Sequence, residues 1–441
     1  MSHMALTPFS ATKSLALRLQ EGQGDYDALM AMVPGRRFVL LGESTHGTRD
    51  FYRMRADITR RLIAEEGFDG VAVEGDWPDT WRVNRFVQGE TTDDAYAALT
   101  DFERFPSWMW RNEEMFQFIG WLRAYNADRP AARRVGIYGL DLYSLYRSAD
   151  AVIRYLEEVD PVQAAVARER YAALDHVREP QTYGYQVAIG QRPPAHDEVV
   201  AQLLQLRARA QDYIEHDDLA AADAHFFAER NAAVVVQAEH YYRAMFGRRT
   251  NTWNLRDAHM RDTLLALSAY RHQRNGSGRI VVWAHNSHIG DARATEMHSR
   301  GEFNLGQILR QELGEQVLLV GFTTYAGYVS AASEWDGEVE LKRVRPALPN
   351  SYERLFHTTS LDRFFLPLKG PQAEQLKEPL LERAIGVIYL PETERASHYF
   401  EASLAHQFDA VFHLDETEAV EPLIRPARWR SAPDMRPASV L

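Results

Sequence analysis

Hydrophobic positions along this chain follow two periods in turn. Short β-branched runs at residues 38–42, 71–73, 135–139 and 280–284 predict buried strands. Between them apolar residues recur at helical spacing, as in Phe51, Met54, Ile58, Leu62 and Ile63, which stop at Gly67, a residue suited to a helix C-cap. A second helix is predicted from Asn112 through Phe116, Ile119 and Leu122 to Tyr125, after an aromatic-rich loop (102–110) broken by Pro106. From about residue 150 strand-like runs thin out, and Ala, Arg, Gln, Glu and Leu dominate with a 3.6-residue period. Residues 180–194, with two glycines and three prolines, predict a loop or hinge within this block. Strands return at 280–284, 317–322, 384–390 and 410–414.

This alternation predicts an α/β fold: a largely parallel central sheet flanked by helices, with a helical insertion covering the C-terminal strand ends. Residues 1–150 form the first part of the core and 151–273 the insertion. Residues 274–441 form the second part, with a C-terminal extension rich in Pro, Arg and Ser from Pro422. No internal repeat has a fixed period.

Composition narrows the chemistry. The 441 residues contain no cysteine, which excludes disulfides, thiolate metal sites, iron–sulfur clusters and a cysteine nucleophile. Fifty Lys and Arg against 62 Asp and Glu give a net charge of -12, an acidic balance that argues against nucleic-acid binding. No apolar run approaches the ~20 residues of a membrane helix, and no basic-then-apolar segment marks a secretory signal, so a cytoplasmic protein without a membrane partner is expected. Met1-Ser2-His3 ahead of Met4 reads as a cloning scar.

The ends of the predicted strands carry the informative residues. Strand 38–42 runs into Gly42-Glu43-Ser44-Thr45-His46-Gly47-Thr48, which places an acid and an imidazole three positions apart at the sheet's rim. A plain strand-to-helix turn with Ser44 or Thr48 as N-cap explains the threonine but not that pair. Glu74 closes the strand at 71–73, Asp141 the one at 135–139, and His285-Asn286-Ser287-His288 follows the one at 280–284. A carboxylate such as Glu74 needs a partner if it is buried, and Arg55 is one candidate, although alone it reads as an ordinary helix charge beside Asp57. His259 is explained equally well by helix packing. Trp77, Trp81, Trp108, Trp110, Tyr325 and Tyr328 would supply apolar walls for a bulky organic ligand, with core packing as the plain alternative. There is no Gly-x-Ser-x-Gly elbow, Walker A sequence, Gly-x-Gly-x-x-Gly or His-Glu-x-x-His.

The ordered set of motifs resembles the erythromycin esterase family. The resemblance runs from Gly42–Thr48 with Arg55, through Val73-Glu74 with Trp77 and Trp121-Leu122-Arg123 with Asn126. It continues over Leu255-Arg256-Asp257-Ala258-His259-Met260 and Trp283-Ala284-His285-Asn286-Ser287-His288, and ends at Tyr399-Phe400 and Phe408-Asp409-Ala410-Val411. It implies a hydrolase that opens the lactone ester of macrocyclic antibiotics, with His46 as a base acting on water and no covalent acyl-enzyme. The active-site positions it carries over are Glu43, His46, Arg55, Glu74, His285 and His288. Trp77, Trp110, Asn286 and Tyr325 are expected to contact the substrate.

On this reading Glu43 or Glu74 orients His46, and His285 with Arg55 or His288 stabilises the oxyanion. No cofactor is required. The same three imidazoles and two glutamates are also compatible with a zinc or manganese ion activating the water. A protein that sequesters a large hydrophobic metabolite without turnover is the reading from another class.

Overall fold

The computed structural model describes residues 7–174, 179–214, 219–247, 250–426 and 429. Its strands are β1 (Leu17–Arg18), β2 (Phe38–Leu41), β3 (Gly70–Asp76), β4 (Gly136–Asp141), β5 (Ile280–Trp283), β6 (Val317–Ala331), β7 (Glu340–Val344), β8 (Arg363–Pro367), β9 (Leu380–Arg383), β10 (Tyr399–Ala402) and β11 (Ala410–Thr417). The strand period of two divides the apolar residues between two cores. Val39 and Leu41 of β2 face Val71, Val73, Val281 and Trp283 on one side, under the Arg49–Glu66 and Glu113–Asn126 helices. Phe38 and Leu40 join Ala72, Ile280 and Val282 on the other, under the Thr252–Asn275 helix.

The central sheet has the order β1-β8-β11-β6-β2-β5-β3-β4, with β7 paired to the far half of β6. From β11 to β4 every neighbouring pair is parallel, while β8 and β1 close one edge in antiparallel sense. The α/β expectation and its largely parallel sheet hold. Because β2, β3, β4 and β5 are parallel and adjacent, the residues that follow or end them emerge at the same rim. In such sheets that rim is where ligands bind.

Between β4 and β5 the described residues from Leu145 to Asn275 are mostly helical. The Leu145–Val159, Pro161–Tyr171, His196–Ala208 and Leu219–Ala244 helices enclose their own apolar cluster around Val152, Tyr171, Val199 and Val235. The Thr252–Asn275 helix returns from it to the sheet and brings Trp253, Arg256 and Asp257 to the rim. Among the described residues no helix is long and apolar enough to cross a membrane.

Several local expectations need correction. Residues 180–188 form a helix, with Pro180 at its first turn where a missing N–H costs nothing; only the residues after it turn. The strand expected at 384–390 lies earlier, as β9, in a two-stranded antiparallel sheet with β10. Residues 385 and 388 make isolated bridges to Thr45 and Ala332, because the segment runs beside a turn rather than a strand. Thr48 precedes the Arg49–Glu66 helix without capping it, since its hydroxyl pairs with that of Thr45. Gly67 does end that helix in the left-handed conformation, at φ +71°. Residues 1–6 and most of the Pro/Arg/Ser-rich tail lie outside the described residues.

Candidate active site

The rim assembles its charges by specific local devices. After β2 the chain turns at Gly42, where a Cβ would lie 2.1 Å from Asn286 Oδ1, so only glycine lets the turns after β2 and β5 touch. That turn lifts Glu43 and His46 above the sheet. Glu43 is fully buried: its Oε1 accepts from His46 Nδ1 at 3.0 Å and its Oε2 from Arg55 at 2.7 Å. Arg55 is equally buried, its guanidinium lying 4.5 Å from the Tyr52 ring and 5.1 Å from that of Trp283. The exposed helix charge that its sequence context suggests is therefore absent, and Arg55 does not border the cavity. It holds Glu43 in place as an acceptor, which makes Nδ1 of His46 the N–H donor and leaves Nε2 with the free lone pair.

Glu74 reaches the same point by a different route. Between Val73 and Asp76, β3 slips one residue against β4, a bulge that re-aims the side chains there. Glu74 Oε2 accepts the backbone N–H of His285 at 2.8 Å, and Oε1 accepts from Arg256 at 2.7 Å. His46 Nε2 lies 3.9 Å from Oε1, beyond hydrogen-bond reach, and so remains free for another partner. Burial alone would raise the Glu74 pKa, but His288, Arg256 and His46 together hold it well below the usual carboxylate range.

Arg256 is the hub that sequence reasoning missed. It binds both oxygens of Asp141, at 2.9 and 2.7 Å, as well as Glu74 and Nε2 of His288 at 2.9 Å. Asp141 carried a signal, since it ends its strand; Arg256 and Asp257 stood in the resembling run 255–260, where nothing marked them as facing the rim. Asp257 accepts from Nδ1 of His288 with both oxygens at 2.9 Å. Trp253 stacks on the His288 ring with centroids 4.3 Å apart.

The two histidines after β5 have opposite electrostatics. Burial, then repulsion from His46, pushes His285 down to about 3, so it is neutral. Its Nδ1 accepts the Ser287 N–H at 3.2 Å, which assigns the ring hydrogen to Nε2. The His285 and His46 rings are 4.9 Å apart. His288 is also buried, yet Asp257 and Glu74 outweigh that and raise it to about 9. Neutral, its Nε2 accepts from Arg256; protonated, it donates towards Glu74, 3.4 Å away.

A folded-state pKa raised from 6.5 gives stability that is complete below pH 6.5 and lost as pH rises through about 9. Asp257→Asn should therefore destabilise the protein more at pH 6 than at pH 10. Urea midpoints of both proteins at the two pH values check this, and an equal gap at both would refute it.

His46, Glu74, Asp141, Arg256, His285, Ser287 and His288 border a cavity of about 330 Å³. Trp110 borders it too and donates its ring N–H to the Glu74 carbonyl at 3.1 Å. Phe105 and Trp335, in edge contact at 5.0 Å, lie at its mouth, where Trp335 is 53% exposed. Asp76, Asp79 and Arg104 also line it. Asp79 is pushed up to about 8 by burial and by Asp76, against Arg147 and Arg104.

Three expected contacts lie elsewhere. Trp77 packs in the core against Tyr138 and the Phe226–Phe227 pair. Tyr325 stacks on His357 at 3.8 Å. Asn286 turns its amide away, to Phe322 and Glu382. Trp81 stacks on Phe227, and His259 bonds Thr263 within its own helix.

The donor set does not fit a metal ion. Among the described residues no three His, Asp or Glu side chains are arranged to hold one. The Arg256 guanidinium sits among Glu74, Asp141 and His288, where a cation would have to bind.

Comparison with known proteins follows the same outline. A family model described as Erythromycin esterase matches residues 63–417. Erythromycin esterase type II of Escherichia coli is 21% identical, over 93% of this chain and 97% of its own. A solved structure described as a succinoglycan biosynthesis protein superposes with a TM-score of 0.74 at 22% identity, covering 94% of this chain and 97% of that one. A histidine-to-asparagine mutant of the erythromycin esterase EreC in its open conformation gives 0.65 at 16% identity, over 90% and 95%.

Proposed function

This chain belongs to the erythromycin esterase family, and we propose that it is a hydrolase of carboxylic esters or lactones, with macrolide-type macrocycles as the leading substrate class. One observation carries the reading: His46, held by Glu43 through Nδ1, presents an unbonded Nε2 to a cavity it shares with neutral His285. His46 Nε2 takes the proton of a water molecule while that water attacks the ester carbonyl. Glu43 stabilises the imidazolium that forms, and Arg55 keeps Glu43 aimed at it. The tetrahedral oxyanion is met by Arg256 and His288, which line the same cavity and supply N–H donors and positive charge. Such donors are commonly worth ~3 kcal/mol each. The imidazolium then returns its proton to the leaving alcohol, which balances the reaction.

Ser287 Oγ lies 2.8 Å from His285 Nδ1, the spacing of a serine–histidine pair. The pair does not suit nucleophilic catalysis, because a ring whose pKa is near 3 is too weak a base to activate a hydroxyl. Ser287→Ala is expected to keep kcat within about tenfold, and mass spectrometry of quenched enzyme should find no acyl adduct. Loss of all turnover would point to a serine nucleophile instead.

The cavity lies near the lower end of the ~300–1,000 Å³ common for ligand sites. It encloses the reacting ester and its neighbours, and the rest of a macrocycle would rest at the mouth by Phe105 and Trp335. Incubation with macrolides, smaller lactones and acyclic esters, read by mass spectrometry, tests the reading. Gain of one water on a lactone, or cleavage of an ester, is the expected result. Tight binding of every compound without conversion would favour sequestration.

A further inference from the structure

Behind the catalytic turns lies a buried acid that the proposed mechanism does not use. Glu382, on β9, is completely buried, and its Oε1 accepts from Asn286 Nδ2 at 3.2 Å. Asn286 in turn joins β6 through both its amide atoms, donating to the Phe322 carbonyl at 2.9 Å and accepting from the Phe322 N–H at 3.2 Å. This side-chain clamp fixes the turn that carries His285 and His288. The chain leaving Glu382 also reaches the other catalytic turn, where Ile385 donates its N–H to Ser44 O at 2.8 Å and accepts that of His46 at 3.3 Å. One short segment therefore touches the turns of all three active-site imidazoles.

From this geometry we infer that Glu382 is a positioning residue, which through Asn286 holds the 285–288 turn in register with the His46 turn. The inference rests on the hydrolase reading only for its kinetic arm.

The acid does this in its neutral form. Glu382 Oε2 and Gln407 Oε1 are both buried oxygens without a hydrogen-bond partner among the described residues. The Gln407 and Asn286 amides face the Glu382 carboxyl as donors, which by themselves favour its charged form. Glu353, whose Oε1 accepts the Arg383 N–H at 2.9 Å, is the nearby acid, and Tyr352 is the other titratable group facing Glu382. The Arg383 guanidinium points away, to the Thr324, Tyr325 and Arg345 carbonyls and to Glu394. Burial and the Glu353 charge outweigh those two donors and push Glu382 up to about 8.

The test compares the full chain with Glu382→Gln and Glu382→Leu, using ¹⁵N spectra of the histidine rings together with pH–rate profiles on an ester that the wild type turns over. Glutamine is expected to leave the His285 and His288 resonances in place at pH 7 and keep kcat. It should also move the midpoint of the wild type's alkaline fall in kcat from about 8 up to about 9, where His288 loses its proton. Leucine should displace both resonances and lower kcat by about 100-fold with KM nearly unchanged, as a misplaced catalytic group does.

Unmoved resonances and full kcat in the leucine variant would overturn the inference. So would an alkaline limb with the same midpoint in the wild type and the glutamine variant, a comparison that stands even if the leucine variant fails to fold. If none of the three proteins turns over any ester but the leucine variant shifts the rings, the hydrolase reading fails and the positioning role stands.

Discussion

Replacing His46 with alanine is expected to lower kcat by about 10²–10⁴-fold, the usual worth of a positioned general base, while KM changes little. The expectation follows from how completely the surroundings specify this ring. Glu43 takes Nδ1 at 3.0 Å, Arg55 takes the other Glu43 oxygen at 2.7 Å, and both partners are fully buried. Among the described residues no other imidazole at the rim is free to substitute. His285 spends Nδ1 on Ser287, and His288 is held between Asp257 and Arg256. Adding imidazole to the alanine variant should restore part of the rate, since the vacated volume opens on the cavity. Glu43→Gln should be impaired as well, because glutamine keeps a hydrogen bond but cannot stabilise the imidazolium or pair with Arg55. Initial rates for wild type and both variants under saturating ester decide it. Full turnover by the alanine variant would remove the base from the mechanism and with it the reading of this site.

The fold was legible in the sequence because buried parallel strands announce themselves as apolar runs, and each here ended in a chemically distinctive residue. Glu43, His46, Glu74, His285 and His288 converge for that reason: their strands are parallel neighbours, so their ends share a rim. Helical residues were harder to read. Arg55, Arg256 and Asp257 look like solvated charges in an amphipathic pattern, and periodicity cannot tell a charge that faces water from one that faces a buried carboxylate. Two of the expected wall residues lie elsewhere for a related reason. Trp77 and Tyr325 are aromatic whether they line a pocket or fill a core, and only tertiary packing separates the two. Glu382 was invisible, since β9 leaves the main sheet and its partners Asn286 and Gln407 are distant in the chain.

Arg256 carries the other large expected effect, and it concerns stability as much as catalysis. Its side chain is 13% exposed and pairs with Glu74 and Asp141, each 4% exposed. Substituting methionine strands two buried carboxylates, and breaking buried pairs in this way typically costs about 3–5 kcal/mol. Lysine should recover only part, because a single ammonium cannot span Asp141, Glu74 and His288 as the planar guanidinium does. The pH dependence gives the cause a signature. In the wild type, Asp141 and Glu74 have depressed pKa values, so their stabilisation is present above the unfolded carboxylate range and is lost as pH falls through the folded values. In the methionine variant burial is unopposed by Arg256, the same groups shift upward, and acid relieves them by protonation. The stability gap between the two proteins should therefore be widest near pH 7.5 and narrow towards pH 5. Urea unfolding of wild type, Arg256→Met and Arg256→Lys at both pH values measures it. A methionine variant with the wild-type midpoint at pH 7.5 would show that the carboxylates find other partners and that Arg256 is not the hub of the site.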